Sequence, residues 1–455
     1  MGETGPEKKA NSRGKTTVLT AKWVLPSVKE GLKEDWAVAI EGGKISEVGP
    51  KERVLGRYGA KEATVEDLGE RLIVPGFVNT HNHMYGVLSH GITVPVSPTG
   101  FMSFLEDFWW PYVEDRLNHD LVKTTTALAC SEMIKSGVTA FSDILEAPYA
   151  IPGALIAEAE VVESAGLRGI LAFEATERAG EKIATLGIEE NEGFIRWSRE
   201  RPSGLLGGMM CVHTTFTCSP SYLRRSKERA QLLGAMSEMH LSESKFEPEI
   251  CKSRYGKLPV ELYQEIGFLD GDVLASQCVK VTDEEIDTLA EAGVKISHMP
   301  LSNCEVGGGI APVVSMLERG LTVGIGTDGY ITDFFQVMRG AFLIHKAAQE
   351  SPQVMPARTV FDMATRQGAL AMGLKDVGVL APGYRADLVA LKTDLPTPIT
   401  QENVYDQIVL FLGPQDVDLV MVEGNVLARG GRLLTLDEEG IKAKMREAAR
   451  RFWKF

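Results

Sequence analysis

The chain has 455 residues, with 48 Lys and Arg against 62 Asp and Glu, a formal net charge of −14. With 44% hydrophobic and 24% charged residues it is neither disordered nor fibrous in composition. The length exceeds what one hydrophobic core organises and predicts a large domain with a smaller one beside it. The acidic balance argues against a nucleic-acid partner, which needs a positive surface to displace counterions from phosphates. The densest basic stretch, Lys442, Lys444, Arg446, Arg450, Arg451 and Lys454, reads as the solvated face of a C-terminal helix over 436–455.

Residues 1–15 are polar, without the apolar core of a signal peptide, and read as a disordered tail. The six cysteines (Cys130, Cys211, Cys218, Cys251, Cys278 and Cys304) are scattered and form no CxxC pair, so reduced thiols in a cytoplasm are expected. No apolar run approaches the length of a membrane span, so no membrane partner is expected.

In chain order, residues 16–72 read as short strands and turns, and the same texture returns over 376–435. These two segments predict one small β domain built from both ends of the chain. Between them, over 73–375, apolar runs alternate with helical periodicity. The runs are 72–78, 138–141, 169–173, 209–212, 235–239, 273–275, 294–297 and 322–325. Continuous apolar runs separated by helices are the pattern of parallel strands covered on both sides, and eight such units predict a (β/α)₈ barrel in an α/β fold.

Polar residues end these runs. The first ends in His81-Asn82-His83, the fourth in His213, the fifth in His240, the sixth in Gln277, the seventh in His298 and the eighth in Asp328. In a barrel all these ends face one mouth, where catalytic groups gather. His81 and His83, two apart, lie on the same side; with His240 and Asp328 they offer three imidazoles and a carboxylate to one Zn²⁺ or Fe²⁺ ion. An ion with an open position lowers the pKa of bound water towards ~7, which makes hydroxide at neutral pH. Glu243, three residues after His240, is placed to move protons beside the ion. Each residue alone has a structural reading: Asp328 opening a turn before Gly329, Glu243 charging the first turn of a helix. The aromatics Phe104, Phe108, Trp109 and Trp110 read either as helix core or as a roof that stacks on a planar ring. Phe216 and Tyr330, close after His213 and Asp328, are candidate pocket walls, and Asn303 and Cys304 candidate residues of the mouth. The Gly307-Gly308-Gly309 stretch lacks a following Lys-Ser/Thr and reads as a flexible loop, not a phosphate cradle.

The blocks Val74-Pro75-Gly76-Phe77-Val78-Asn79-Thr80-His81-Asn82-His83, Cys130-Ser131-Glu132-Met133-Ile134-Lys135-Ser136-Gly137-Val138-Thr139, His240-Leu241-Ser242-Glu243, Ser297-His298-Met299-Pro300-Leu301-Ser302-Asn303, Gly326-Thr327-Asp328-Gly329 and Leu380-Ala381-Pro382-Gly383-Tyr384-Arg385-Ala386-Asp387-Leu388 occur in this order. With them the chain resembles the amidohydrolase superfamily, in its single-metal aminohydrolase branch of guanine, cytosine and S-adenosylhomocysteine-type deaminases and triazine chlorohydrolases. The resemblance implies a TIM barrel with a small β-sandwich and one Zn or Fe ion on His81, His83, His240 and Asp328. It implies that Asp328 takes a proton from the water, that Glu243 protonates the ring nitrogen beside the attacked carbon, and that His213 contacts substrate. No lysine follows the fourth strand in a position suited to bridging two ions. A homo-oligomer is the family-level expectation. The sequence departs at Gln277, where the family typically has a His that holds the hydroxide and shuttles a proton; glutamine hydrogen-bonds but does not titrate near pH 7.

The reaction these readings predict is hydrolytic deamination of a purine, pterin, pyrimidine or triazine-type heterocycle. Two alternatives stand beside it: dechlorination, dealkylamination or cyclic-amide opening at the same centre, and a catalytically silent relative that binds metal or heterocycle, which Gln277 motivates.

Overall fold

The computed structural model describes residues 16–94 and 96–454, so the tail expected over 1–15 lies outside the described residues. Eight parallel strands form the barrel: β1 (Phe77–Asn79), β2 (Val138–Leu145), β3 (Arg168–Ala175), β4 (Met210–Val212), β5 (Ser237–Leu241), β6 (Val273–Gln277), β7 (Lys295–His298) and β8 (Val323–Ile325). Each pairs with the next, β8 returns to β1 through Ile325 and Asn79, and β3 meets β4 through Glu174 and Cys211. The strands are short and buried on both faces; all eight residues of β2 are buried. That is why they read as continuous apolar runs and not as alternating ones.

A second, nine-stranded sheet takes strands from both ends of the chain. Its central pairing sets Arg71–Pro75 antiparallel to Leu388–Lys392. Leu19, Val38 and Ile40 from the N-terminal strands share an apolar cluster with Leu388, Ala390, Leu419 and Met421 from the C-terminal ones. The alternate residues Val18, Ala37 and Ala39 face the other way, against Val54 of the helix Lys51–Glu62. This period-two division puts an apolar layer on each side of the strands.

The run 72–78, read as one strand, is two. Arg71–Pro75 belongs to the terminal sheet and Phe77–Asn79 to the barrel. The chain changes sheets at Gly76, where a Cβ would overlap the Thr139 side chain. The two sheets are also tied by a buried ion pair. Arg168, at the start of β3 and 4% exposed, donates Nε to Asp387 at 2.8 Å and Nη2 to Glu423 at 3.1 Å. The C-terminal helix Glu438–Trp453 buries Met445 and Phe452, and two of its basic residues pair within the helix, Lys442 with Glu438 and Arg451 with Glu447. No helix among the described residues is long and apolar enough to cross a membrane.

Candidate metal centre and active site

At the carboxyl end of β1 the chain runs through His81-Asn82-His83, and the two rings meet that of His240 from β5. Nε2 of His83 lies 3.2 Å from Nε2 of His81 and 3.4 Å from Nε2 of His240. Each ring offers its other nitrogen to an acceptor. Nδ1 of His81 is 2.6 Å from Glu238 Oε1, Nδ1 of His83 is 2.6 Å from the Ile144 carbonyl, and Nδ1 of His240 is 2.9 Å from Glu174 Oε1. The first two contacts place the proton of His81 and of His83 on Nδ1 and turn their Nε2 lone pairs towards one point, which Nε2 of His240 also faces; a metal ion there would displace the proton that the Glu174 carboxylate favours on His240. Lone pairs cannot hydrogen-bond to each other, so the arrangement calls for a cation. Nitrogen ligands about 2.1 Å from a tetrahedral ion stand about 3.4 Å apart, which is the spacing seen. Asp328 Oδ1 adds a carboxylate 3.5 Å from His83 Nε2.

Asp328 is fixed from several sides. Its Oδ1 accepts the Gly329 N–H at 2.8 Å; its Oδ2 accepts Gln277 Nε2 at 2.8 Å and Ser302 Oγ at 3.0 Å. Asn303 Nδ2 in turn donates to Gln277 Oε1. Gln277 thus passes orientation from Asn303 to the carboxylate. Three site-bearing turns hold non-glycine residues in the left-handed region: Ser242 (φ 49°), Gln277 (φ 74°) and Asp328 (φ 59°). This conformation disfavours side chains, and it is held here by bonds such as Cys278 N–H to the Leu241 carbonyl at 2.8 Å. The turns after β1 and β8 lie so close that a Cβ on Gly86 would overlap Gly329.

Charge follows burial. Burial, with a charge on His240 beside it, holds His81 at about 3, and burial brings His213 to about 3, so both rings are neutral. Against burial, which pulls it down, the Glu174 carboxylate raises His240 to about 10. Burial raises Glu238 to about 8, and a divalent ion on His81 would draw it back to the ionised carboxylate. Burial would raise Asp328 too, but His83 and then His81 hold it at about 2. Burial, then the Asp328 carboxylate, pushes Glu243 up to about 8. The cluster therefore attracts positive charge at its centre and keeps a neutral acid at its edge.

A cavity of about 500 Å³ opens above these groups. Its lining includes His83, His240, Asp328, Gln277, Glu243, His213, Tyr330 and Trp110. Phe104, Phe108 and Trp109 line it too, so the aromatic segment is roof. His213 is held by Nδ1 to Thr217 Oγ1 at 2.8 Å. The structure does not bring Phe216 or Cys304 to this wall, and both expectations are corrected. Phe216 lies edge-on behind His213, ring centroids 5.4 Å apart, and packs on Phe246. Cys304 is exposed; in the short helix Ser302–Glu305, Ser302 and Glu305 face the cavity, and Asn303 and Cys304 between them are not part of its lining. His298 also turns away, its Nε2 meeting His345 Nε2 at 3.1 Å. Sequence reasoning passed over Glu174, Glu238 and Glu146, although Glu174 directly ends the apolar run 169–173 and Glu238 lies inside the run 235–239, signal enough to mark these two.

The fold and the donor set define a barrel hydrolase whose mouth is built for one divalent cation. Residues 72–427 match the amidohydrolase family, and the chain belongs to it. It is 35% identical over 438 residues to 5'-deoxyadenosine deaminase of Methanosarcina mazei, covering 95% of this chain and 96% of that one. It is 37% identical over 437 residues to 5-methylthioadenosine/S-adenosylhomocysteine deaminase of Desulforudis audaxviator, covering 94% and 97%. Among solved structures, a zinc-bound adenosine deaminase from Xanthomonas campestris superposes with a TM-score of 0.87 at 23% identity, over 96% of this chain and 99% of that one. The Escherichia coli guanine deaminase superposes with 0.78 at 21%, over 91% and 99%. The protein is an enzyme, a hydrolase acting on carbon–nitrogen bonds, and the reaction of its class is hydrolytic deamination.

Proposed function

We propose that the chain removes the amino group of an adenine-type ring in a nucleoside by hydrolysis, with one Zn²⁺ or Fe²⁺ ion on His81, His83, His240 and Asp328. The observation that carries this is the convergence of three Nε2 lone pairs and Asp328 Oδ1 at the floor of a cavity edged by Glu243. The relatives named above, alike along nearly the whole chain, support the nucleoside. A divalent ion there supplies Lewis acidity and lowers the pKa of a coordinated water towards ~7.

This chain's residues do the rest. Glu243, neutral around neutral pH, gives its proton to the ring nitrogen next to the attacked carbon and so makes that carbon electrophilic. Asp328 keeps Oδ2 occupied by Gln277 and Ser302, receives the proton of the attacking water, and returns it to the departing amine. Water adds, the carbon–nitrogen bond breaks and ammonia leaves, and the remaining proton of the added hydroxyl returns to Glu243 as the carbonyl forms. Gln277 only orients, so Glu243 and Asp328 carry all the protons. Neutral His213, anchored by Thr217, and the face of Trp110 bound the ring. The volume is in the range of small-molecule sites, and carboxyl groups on the far wall accept hydrogen bonds from sugar hydroxyls.

Elemental analysis of the purified protein and ammonia release from adenosine and 5'-deoxyadenosine test this. Glu243→Gln is expected to keep its metal and lose about 10²–10⁴ in kcat. Ammonia release unaffected by that change would refute the assignment of Glu243; no release from any adenine nucleoside would refute the substrate.

A further inference from the structure

The cavity wall away from the metal ligands has a charge the reaction does not use. Six carboxyl groups line the cavity, and among the described residues no Lys or Arg does. Asp328 and Glu174 contact the histidines and Glu243 lies beside them, whereas Glu114 and Glu146 gather around Arg178. The nearby guanidinium of Arg178 is spent. It stacks 4.8 Å over the Trp110 ring, and its three nitrogens go to Glu146, to Glu114 at 3.0 Å and to Asp115 at 2.9 Å. One cation thus serves three carboxyl groups, each of its nitrogens already bonded to one of them. Glu146 is 1% exposed, and its Oε2 is buried with no partner among the described residues. Burial, against the pull of Arg178, raises Glu114 to about 7, and burial with Glu114 beside it raises Glu146 further.

We infer that this site selects substrates by charge: it accepts a heterocycle whose non-reacting end is neutral or cationic, and rejects one that carries a phosphate or carboxylate there. The inference rests on the deamination reading above for its assay. A cation brought to Glu146 and Glu114 draws both to the ionised form and supplies the charge Arg178 cannot, whereas an anion finds Arg178 already shared among three carboxyl groups and no other cation in the lining. Of the two kinds of compound in the names of the relatives, uncharged 5'-deoxy and 5'-methylthio nucleosides fit this wall better than one with an amino-acid tail.

The test uses the zinc-loaded full chain with three compounds that share ring and sugar: adenosine, 5'-amino-5'-deoxyadenosine and adenosine 5'-monophosphate. The expected kcat/KM for the phosphate is at least about 100-fold below that for adenosine, and the ammonium compound equals or exceeds adenosine by up to about tenfold. Raising the salt narrows the gap. Glu146→Gln, with its melting temperature confirming the fold, narrows it too. Phosphate turned over within threefold of adenosine would overturn the inference and leave the deamination reading intact. If none of the three is turned over, the deamination reading fails, and calorimetric affinities for the same compounds decide the charge rule. The same order upholds it; equal affinity for the phosphate, or no binding by any of them, overturns it.

Discussion

Glu238 touches no substrate, yet replacing it by Gln should weaken the metal site. Its Oε1 lies 2.6 Å from His81 Nδ1, and both side chains are fully buried. The carboxylate accepts the Nδ1 proton, fixes the tautomer that leaves Nε2 free, and strengthens that lone pair. An amide of the same shape can still offer its oxygen, at the cost of a charge-assisted hydrogen bond. Turned over, it offers an N–H and favours the wrong tautomer. Losses of this kind cost about 10–100-fold in metal affinity, or about 1.4–2.8 kcal/mol. Competition for zinc with a chelator of known affinity measures the change, and kcat at saturating zinc should recover most of its value. Unchanged zinc affinity in Glu238→Gln would refute the reasoning that His81 is a ligand oriented from behind.

Three further outcomes are expected. Gln277→Leu removes one of the two side chains that hold Asp328 Oδ2 and should lower kcat about tenfold or more with little change in KM, read from steady-state kinetics. Trp110→Ala opens the cavity roof and should raise KM more than it lowers kcat, measured on the same substrate. Glu158→Gln tests a pH effect away from the mouth. Burial, then the Asp143 carboxylate beside it, keeps Glu158 well above its ordinary range, so the folded chain holds a proton that the unfolded chain has released. Stability from this group therefore falls as pH rises above about 4.5. Melting curves should show Glu158→Gln gaining on the parent protein at pH 8 and losing that gain at pH 5.

The metal-ligand candidates were legible because each is a polar residue ending an apolar run, and the barrel gathers such ends at one mouth. That rule says where a side chain starts but not which way it turns. His298 ends β7 as His240 ends β5, yet it faces His345. Cys304 needed the phase of a four-residue helix, which periodicity cannot fix over so short a span. The break at Gly76 was hidden because strands of both sheets are apolar there, and only the Thr139 contact requires the glycine. Glu174 and Glu238 carry no spacing motif; their mark is a charge in an otherwise greasy strand, visible only once burial is taken seriously as a cost.

The direct passage through Gly76 makes the terminal sheet and the HxH turn one stretch of backbone. Five residues separate Pro75 from His81, and at the far end of the chain the indole of Trp453 donates to the Leu88 carbonyl, just past His83, at 2.8 Å. Both chain ends thus brace the same turn. Shearing off the C-terminal strands or helix would loosen the imidazoles as surely as cutting into the barrel, so zinc retention should report on the integrity of distant segments that never approach a substrate.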